Sequence, residues 1–211
     1  MSAPERLDPA QTALLFFDML NGHVKKDDPA TQARYAPVIA GAVRLLETAR
    51  RAGMVVMYAA AHHRPDNATS AHLITDTDNR LRPLAAGASR ELKPVVAAGT
   101  WEAQVIDELK PQPQDYMIPK FRWSAFHQTY LDLALRNRNI RTLVIAGGST
   151  DVGVASTAYA ARDLDYNLVI VSDACTSPEQ DNHAQFMQRI FPRMARVRTT
   201  EHVIAMLSVA T

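Results

Sequence analysis

Short apolar runs without polar alternation, each followed by a stretch of helical period, recur through most of this 211-residue chain. A strand that alternates apolar and polar residues has one face in water, whereas one that is apolar throughout must be covered on both faces. The runs TALLFFDM (12–19), MVVMYAAA (54–61), DYMIP (115–119), TLVIAGG (142–148), NLVIVSDA (167–174) and ARVRT (195–199) read as strands. In ATQARYAPVIAGAVRLLETARRAG, Val38, Ile39, Ala42, Leu45, Leu46 and Ala49 recur at three- and four-residue spacing, and Gly53 stands where a helix C-cap belongs. Further helices are expected around TYLDLALRNR (129–138), VGVASTAYAARDL, NHAQFMQRIFPRMA (182–195) and EHVIAML (201–207). Strands separated by helices imply a parallel sheet. The expected architecture is a three-layer α/β/α doubly wound sheet of about six parallel strands, in a single domain spanning 1–211. Residues 62–113 break the pattern: they are polar and rich in Pro, Asn and Thr, with one short helix expected near WEAQVIDEL (101–109). So long an irregular stretch is usually functional or disordered.

Composition narrows the partners. With 23 basic against 22 acidic side chains, the net charge of +1 supplies no basic field, and no nucleic acid is expected. The lone Cys175 cannot form an internal disulfide, which fits a reducing compartment. No apolar run approaches the roughly eighteen residues of a membrane span. MSAPERLDPAQ lacks the charged and apolar regions of a signal peptide, so a cytoplasmic protein is expected.

Ligands of open parallel sheets bind beyond the C-terminal ends of the strands. That rule selects Asp18, His62 to Arg64, Lys120, Gly147 to Gly153 and Asp173. An acid and a lysine at the tips of strands that could be neighbours can meet, and the acid can then exchange a proton with substrate. Strand-end acids also serve as turn or cap residues, and strand-end lysines as solvated ones. The segment AGGSTDVGVAST leads from strand to helix, where free amides favour anions or a developing oxyanion. It is neither a P-loop nor a dinucleotide fingerprint. A plain tight turn that lets helix and sheet pack closely accounts for it equally well.

Together these segments resemble the isochorismatase-like hydrolase superfamily, which contains cysteine amidohydrolases and isochorismatases. LLFFDMLNGHV (14–24) is similar to its first-strand Asp-Met-Gln-Asn motif, and PKFRWSAFH (119–127) to the segment carrying the family's lysine. GGSTDVGVASTAYAARD (147–163) resembles the turn that supplies the amidohydrolase nucleophile, and VSDACTS (171–177) the fifth-strand motif. The amidohydrolases place a cysteine where this chain has Gly153, so a thioester route is not available at that position. Isochorismatases also carry glycine there and cleave a vinyl ether by acid–base chemistry. The resemblance therefore implies that Asp18 protonates an enol ether carbon, Lys120 holds Asp18, and Gly153 leaves room for substrate or water. It also implies a cis peptide between Gly148 and Ser149.

The chain departs from the isochorismatase pattern at Leu20, in place of Gln, and at Asp151, in place of His. An added carboxylate disfavours a dicarboxylate substrate unless arginines offset it. Arg64, Arg80, Arg82 and Arg122 are candidates, each with an ordinary surface role as its alternative. His63, Ser149 and Trp123 complete the expected substrate-binding set. Nicotinamidases of the superfamily hold a metal after strand two, but the Asp-x-His arrangement is missing here because Ala61 precedes His62 and His63. Despite His72 downstream, neither a metal nor another cofactor is expected. Cys175 reads as packing. The expected activity is hydrolysis of a small, carboxylate-bearing molecule without a cysteine nucleophile. The alternatives are a degenerate binding or scaffold homologue, and an amide hydrolase in which Ser149 or Thr150 orients water. The resemblance further implies a homo-oligomer, dimer or tetramer.

Overall fold

The computed structural model describes residues 5–70 and 96–208. Six strands form one parallel sheet: β1 (Thr12–Phe17), β2 (Val55–Ala61), β3 (Tyr116–Lys120), β4 (Thr142–Gly148), β5 (Asn167–Thr176) and β6 (Arg196–Arg198). Their order is β3-β2-β1-β4-β5-β6, which makes β1 and β4 the pair at which the order reverses. The expected three-layer doubly wound sheet is the one observed.

Every residue of β1 is buried. Successive side chains of a strand point to opposite faces, and the sheet divides two cores accordingly. Leu14 and Phe16 join Tyr58, Val144, Ala146, Val169 and Val171 on one face. Helix α2 (Pro29–Arg51) covers that face through Val38, Ala42, Leu45, Leu46 and Ala49, together with α6 (Thr200–Ser208). Ala13, Leu15 and Phe17 join Met57, Ala59, Leu143, Ile145 and Ile170 on the other. That face is closed by α3 (Leu131–Asn137) and α4 (Ala155–Asp163). Among the described residues the other α-helices are α1 (Asn21–Val24) and α5 (Gln180–Gln185). Helix α2 starts where Asp28 accepts a 2.8 Å bond from the Thr31 amide, with Pro29 at its first position.

Three expectations need revision. The segment 101–109 is not one helix but two 3-10 turns, Trp101–Ala103 and Asp107–Leu109. Between them the chain pairs with the turn after β1: the Asn21 amide donates to the Gln104 carbonyl at 2.9 Å, and the Ile106 amide to the Met19 carbonyl at 3.1 Å. Leu20 and Val105 form an antiparallel bridge, so a helix would forfeit these partners. The expected helix 182–195 is α5 followed by a π turn (Phe186–Ile190) and a 3-10 turn (Phe191–Arg193), with Pro192 in the last. Finally, β1 and β3 are not neighbours, because β2 lies between them.

Candidate active site

β1 ends at Phe17, and Asp18 turns the chain with a positive φ of 49°. Aspartate tolerates this left-handed region better than most residues do. The Asp18 amide still follows the ladder, donating to the Ala59 carbonyl at 2.9 Å. The turn leaves the carboxylate over the ends of the strands, where Oδ1 accepts the Ala61 amide at 2.9 Å. Oδ2 lies 2.7 Å from Lys120 Nζ, and the two side chains are only 13% and 6% exposed. Lys120 thus reaches past β2, roughly 9.5 Å at two strand spacings. Its ammonium also sits 4.5 Å from the centroid of the Phe17 ring. Such a cation–π contact contributes about 0.5–2 kcal/mol, more as water is removed.

On the other side of the order reversal, β4 runs into the glycine turn. Gly147 pairs with Phe17 at φ 124°, and a Cβ there would fall 2.1 Å from the Phe17 carbonyl oxygen, so only glycine permits this approach. The Gly148–Ser149 peptide is cis. A π turn (Thr150–Val154) then leads into α4 and carries Gly153 into the buried interior, where the Phe17 ring, and not the expected room for substrate or water, fills the space at this position.

The Ser149 hydroxyl donates to Asp151. Asp151 Oδ1 also accepts from Ser177 at 2.6 Å, and Oδ2 from Asn182 at 2.7 Å. Burial pushes the Asp151 carboxyl up, but these donors outweigh it and hold the group below the ordinary aspartate value. Its charge is therefore already spread over three hydroxyl and amide donors. Thr150 Oγ1 is 2.9 Å from His183 Nδ1.

The expected binding residues are not gathered at one point. Arg64 is held by Asp66 on the surface, with Nε 3.0 Å from Oδ1. Arg122 donates to the carbonyls of Thr69 at 2.9 Å and Phe121 at 2.7 Å. It lines a cavity of about 320 Å³ with Trp123, Ser124 and His127. His63 is edge-on to Phe121 at 6.1 Å. Burial lowers its pKa, and the Lys120 and Arg122 cations act in the same direction. Arg80, Arg82 and His72 lie outside the described residues. Among the described residues no group of three His, Cys, Asp or Glu could hold a metal ion.

Asp173, selected as a crevice residue, is engaged by Thr200. Its Oδ1 accepts the Thr200 amide at 2.7 Å and the Thr200 hydroxyl at 2.9 Å, tying β5 to the start of α6. The buried Cys175 directs Sγ at the Ile145 carbonyl, and burial pushes its thiol up to about 12. Leu20 is 1% exposed, which accounts for an apolar residue where the motif usually has Gln.

Two residues near the pair were not singled out from sequence. His23 is kept below its usual pKa by burial, with Asp18 pulling it up and Lys120 pushing it down. Its signal was a titratable side chain five positions after Asp18. Phe17, read only as strand filling, touches both Lys120 and the space at Gly153.

This doubly wound parallel sheet, with a carboxylate and an ammonium meeting over its strand ends, is the fold of isochorismatase-family hydrolases. The isochorismatase domain family matches residues 12–202, and the chain belongs to that family. It is 32% identical over 199 residues to the isochorismatase family protein YwoC of Bacillus subtilis, covering 94% of this chain and 95% of that one. It is 33% identical over 178 residues to the ureidoacrylate amidohydrolase RutB of Pseudomonas savastanoi, covering 81% and 73%. An isochorismatase family protein from Burkholderia thailandensis has a similar structure, with a TM-score of 0.79, 28% identity and coverage of 98% and 100%.

Proposed function

We propose that this family member hydrolyses a small, carboxylate-bearing molecule by acid–base chemistry of Asp18 and Lys120, with no cysteine nucleophile, and that its specific reaction is vinyl ether hydrolysis. The observation that carries this reading is the buried 2.7 Å contact between Lys120 Nζ and Asp18 Oδ2, beside a position 153 that bears no side chain. Asp18, taking up a proton from solvent as substrate enters, gives it to the enol carbon, and an oxocarbenium ion forms at the carbon bearing the ether oxygen. Water adds there, and the Asp18 carboxylate recovers a proton from it. The hemiketal then collapses to a ketone and an alcohol, so one water is consumed and the acid is restored. Lys120 and the Ala61 amide fix the carboxylate throughout, which limits its motion to what proton transfer needs.

Likeness to a protein named as a ureidoacrylate amidohydrolase favours a second reading, amide hydrolysis by a directly activated water. Against it, the hydroxyls expected to orient water, Ser149 and Thr150, are engaged by Asp151 and His183. The deciding experiment incubates the protein with isochorismate and with a panel of small amides, following loss of each. Asp18→Asn should abolish turnover and Cys175→Ser should leave it nearly intact. Turnover of an amide alone selects the second reading. No turnover of either selects a binding or scaffold homologue.

A further inference from the structure

Position 153 has no room for a side chain, and the obstacle is specific. A Cβ built on Gly153 would lie 2.1 Å from Cε1, 2.4 Å from Cζ and 3.1 Å from Cδ1 of Phe17. Those atoms belong to one rigid ring that is 1% exposed and packed between the sheet and the helices covering it. A flexible side-chain end could swing aside, but a ring in a close-packed core can do so only by displacing its neighbours. The same ring meets Lys120 Nζ at 4.5 Å, and that nitrogen is 2.7 Å from Asp18 Oδ2.

We infer that Phe17 and Gly153 are an interlocked pair: the ring of Phe17 fills the space a side chain at 153 would need and is the positioning residue that holds the Lys120 ammonium beside Asp18. The pair thereby sets which chemistry the site can run. Its effect on turnover rests on the acid–base reading above, but the interlock itself does not, and it is testable without any substrate.

Two measurements on the intact chain test it. The first is a thermal melt of Gly153→Ala, Phe17→Val and the double variant. Gly153→Ala should lower Tm by about 2–12 °C, as overpacking does in a chain of this size. The double variant should lose much less than the sum of the two single losses, because the second change opens the space that the first one fills. A Gly153→Ala protein as stable as the parent, or a double variant whose loss equals the sum of the two, overturns the interlock.

The second labels lysine Cε with ¹³C and assigns the Lys120 signal by its loss in Lys120→Met. In the parent that signal should be shifted upfield by the ring face. In Phe17→Leu, which keeps apolar bulk without a π face, it should move downfield, and Phe17→Tyr, which keeps the ring, should restore it. A Lys120 signal that sits at the same shift in the parent and in Phe17→Leu overturns the positioning role, since packing alone would alter Tm and leave the signal where it was. Because neither measurement uses substrate, a failed assay with isochorismate leaves both outcomes readable.

Discussion

Asp18 and Lys120 are each almost fully removed from water and each is the other's counter-charge. Taking away one member of such a pair leaves a buried charge uncompensated, a loss of about 3–5 kcal/mol. Lys120→Met should therefore lower the denaturant midpoint sharply, while Asp18→Asn with Lys120→Met should recover much of the loss. Additive losses in the double variant would show that the pair is not coupled. Cys175 illustrates the opposite kind of residue. Its thiol, pushed up to about 12 by burial, is neutral at pH 8, so native protein should not react with iodoacetamide until it is unfolded. Asp151 gives a pH-dependent case. Its folded-state pKa lies below the ordinary 3.8, so its contribution to stability is fully present above about pH 4. The contribution is lost as pH falls through the folded value. The stability gap between the parent and Asp151→Asn should accordingly shrink on acidification below pH 4, as read by urea unfolding at a series of pH values.

At the scale of elements, Asp173 joins two of them. Its carboxylate accepts both the amide and the hydroxyl of Thr200, which is 1% exposed, at the start of α6. Asp173→Ala would leave those two donors without their partner, which costs about 1–3 kcal/mol. Urea unfolding should register that loss while turnover stays unchanged. Reduced turnover in a folded Asp173→Ala protein would return this residue to the crevice, where its place after a strand put it in the sequence. The strands themselves were legible because TALLFF and TLVIAGG must be buried on both faces, and that requirement is written in residue type alone. The segment 101–109 was not legible. Its apolar spacing resembles a short helix, but the extended stretch between its two turns is dictated by the main chain at Met19 and Asn21, some eighty residues earlier. Asp18 and Lys120 were legible as strand ends, yet their meeting depends on β2 lying between β1 and β3 and on the turn at φ 49°. Phe17 escaped notice because its role lies in space shared with Gly153, and no spacing in the chain encodes that proximity.

At the scale of the whole molecule, the sheet order reverses between β1 and β4, and both strands end in the residues discussed above. An open sheet leaves a crevice at this point because its two crossover helices depart to opposite faces. No described helix is long and apolar enough to cross a membrane. A ligand that binds the folded crevice and not the unfolded chain stabilises the fold by mass action, about 2.7 kcal/mol at a hundred times its Kd. In a chain of roughly 150–250 residues each kcal/mol moves Tm by about 2–4 °C, so saturation should raise Tm by about 5–11 °C. The proposed substrate class makes the choice of ligand specific: a small saturated ether carboxylate, which cannot be protonated at an enol carbon, compared with its uncharged amide. The carboxylate should raise Tm with a concentration dependence that reports its affinity, and the amide should not. Loss of the shift in Lys120→Met, measured against that variant's own baseline, would locate the ligand at the crevice. Equal shifts from both compounds would remove the carboxylate from the recognition argument and favour the amide-hydrolysing reading.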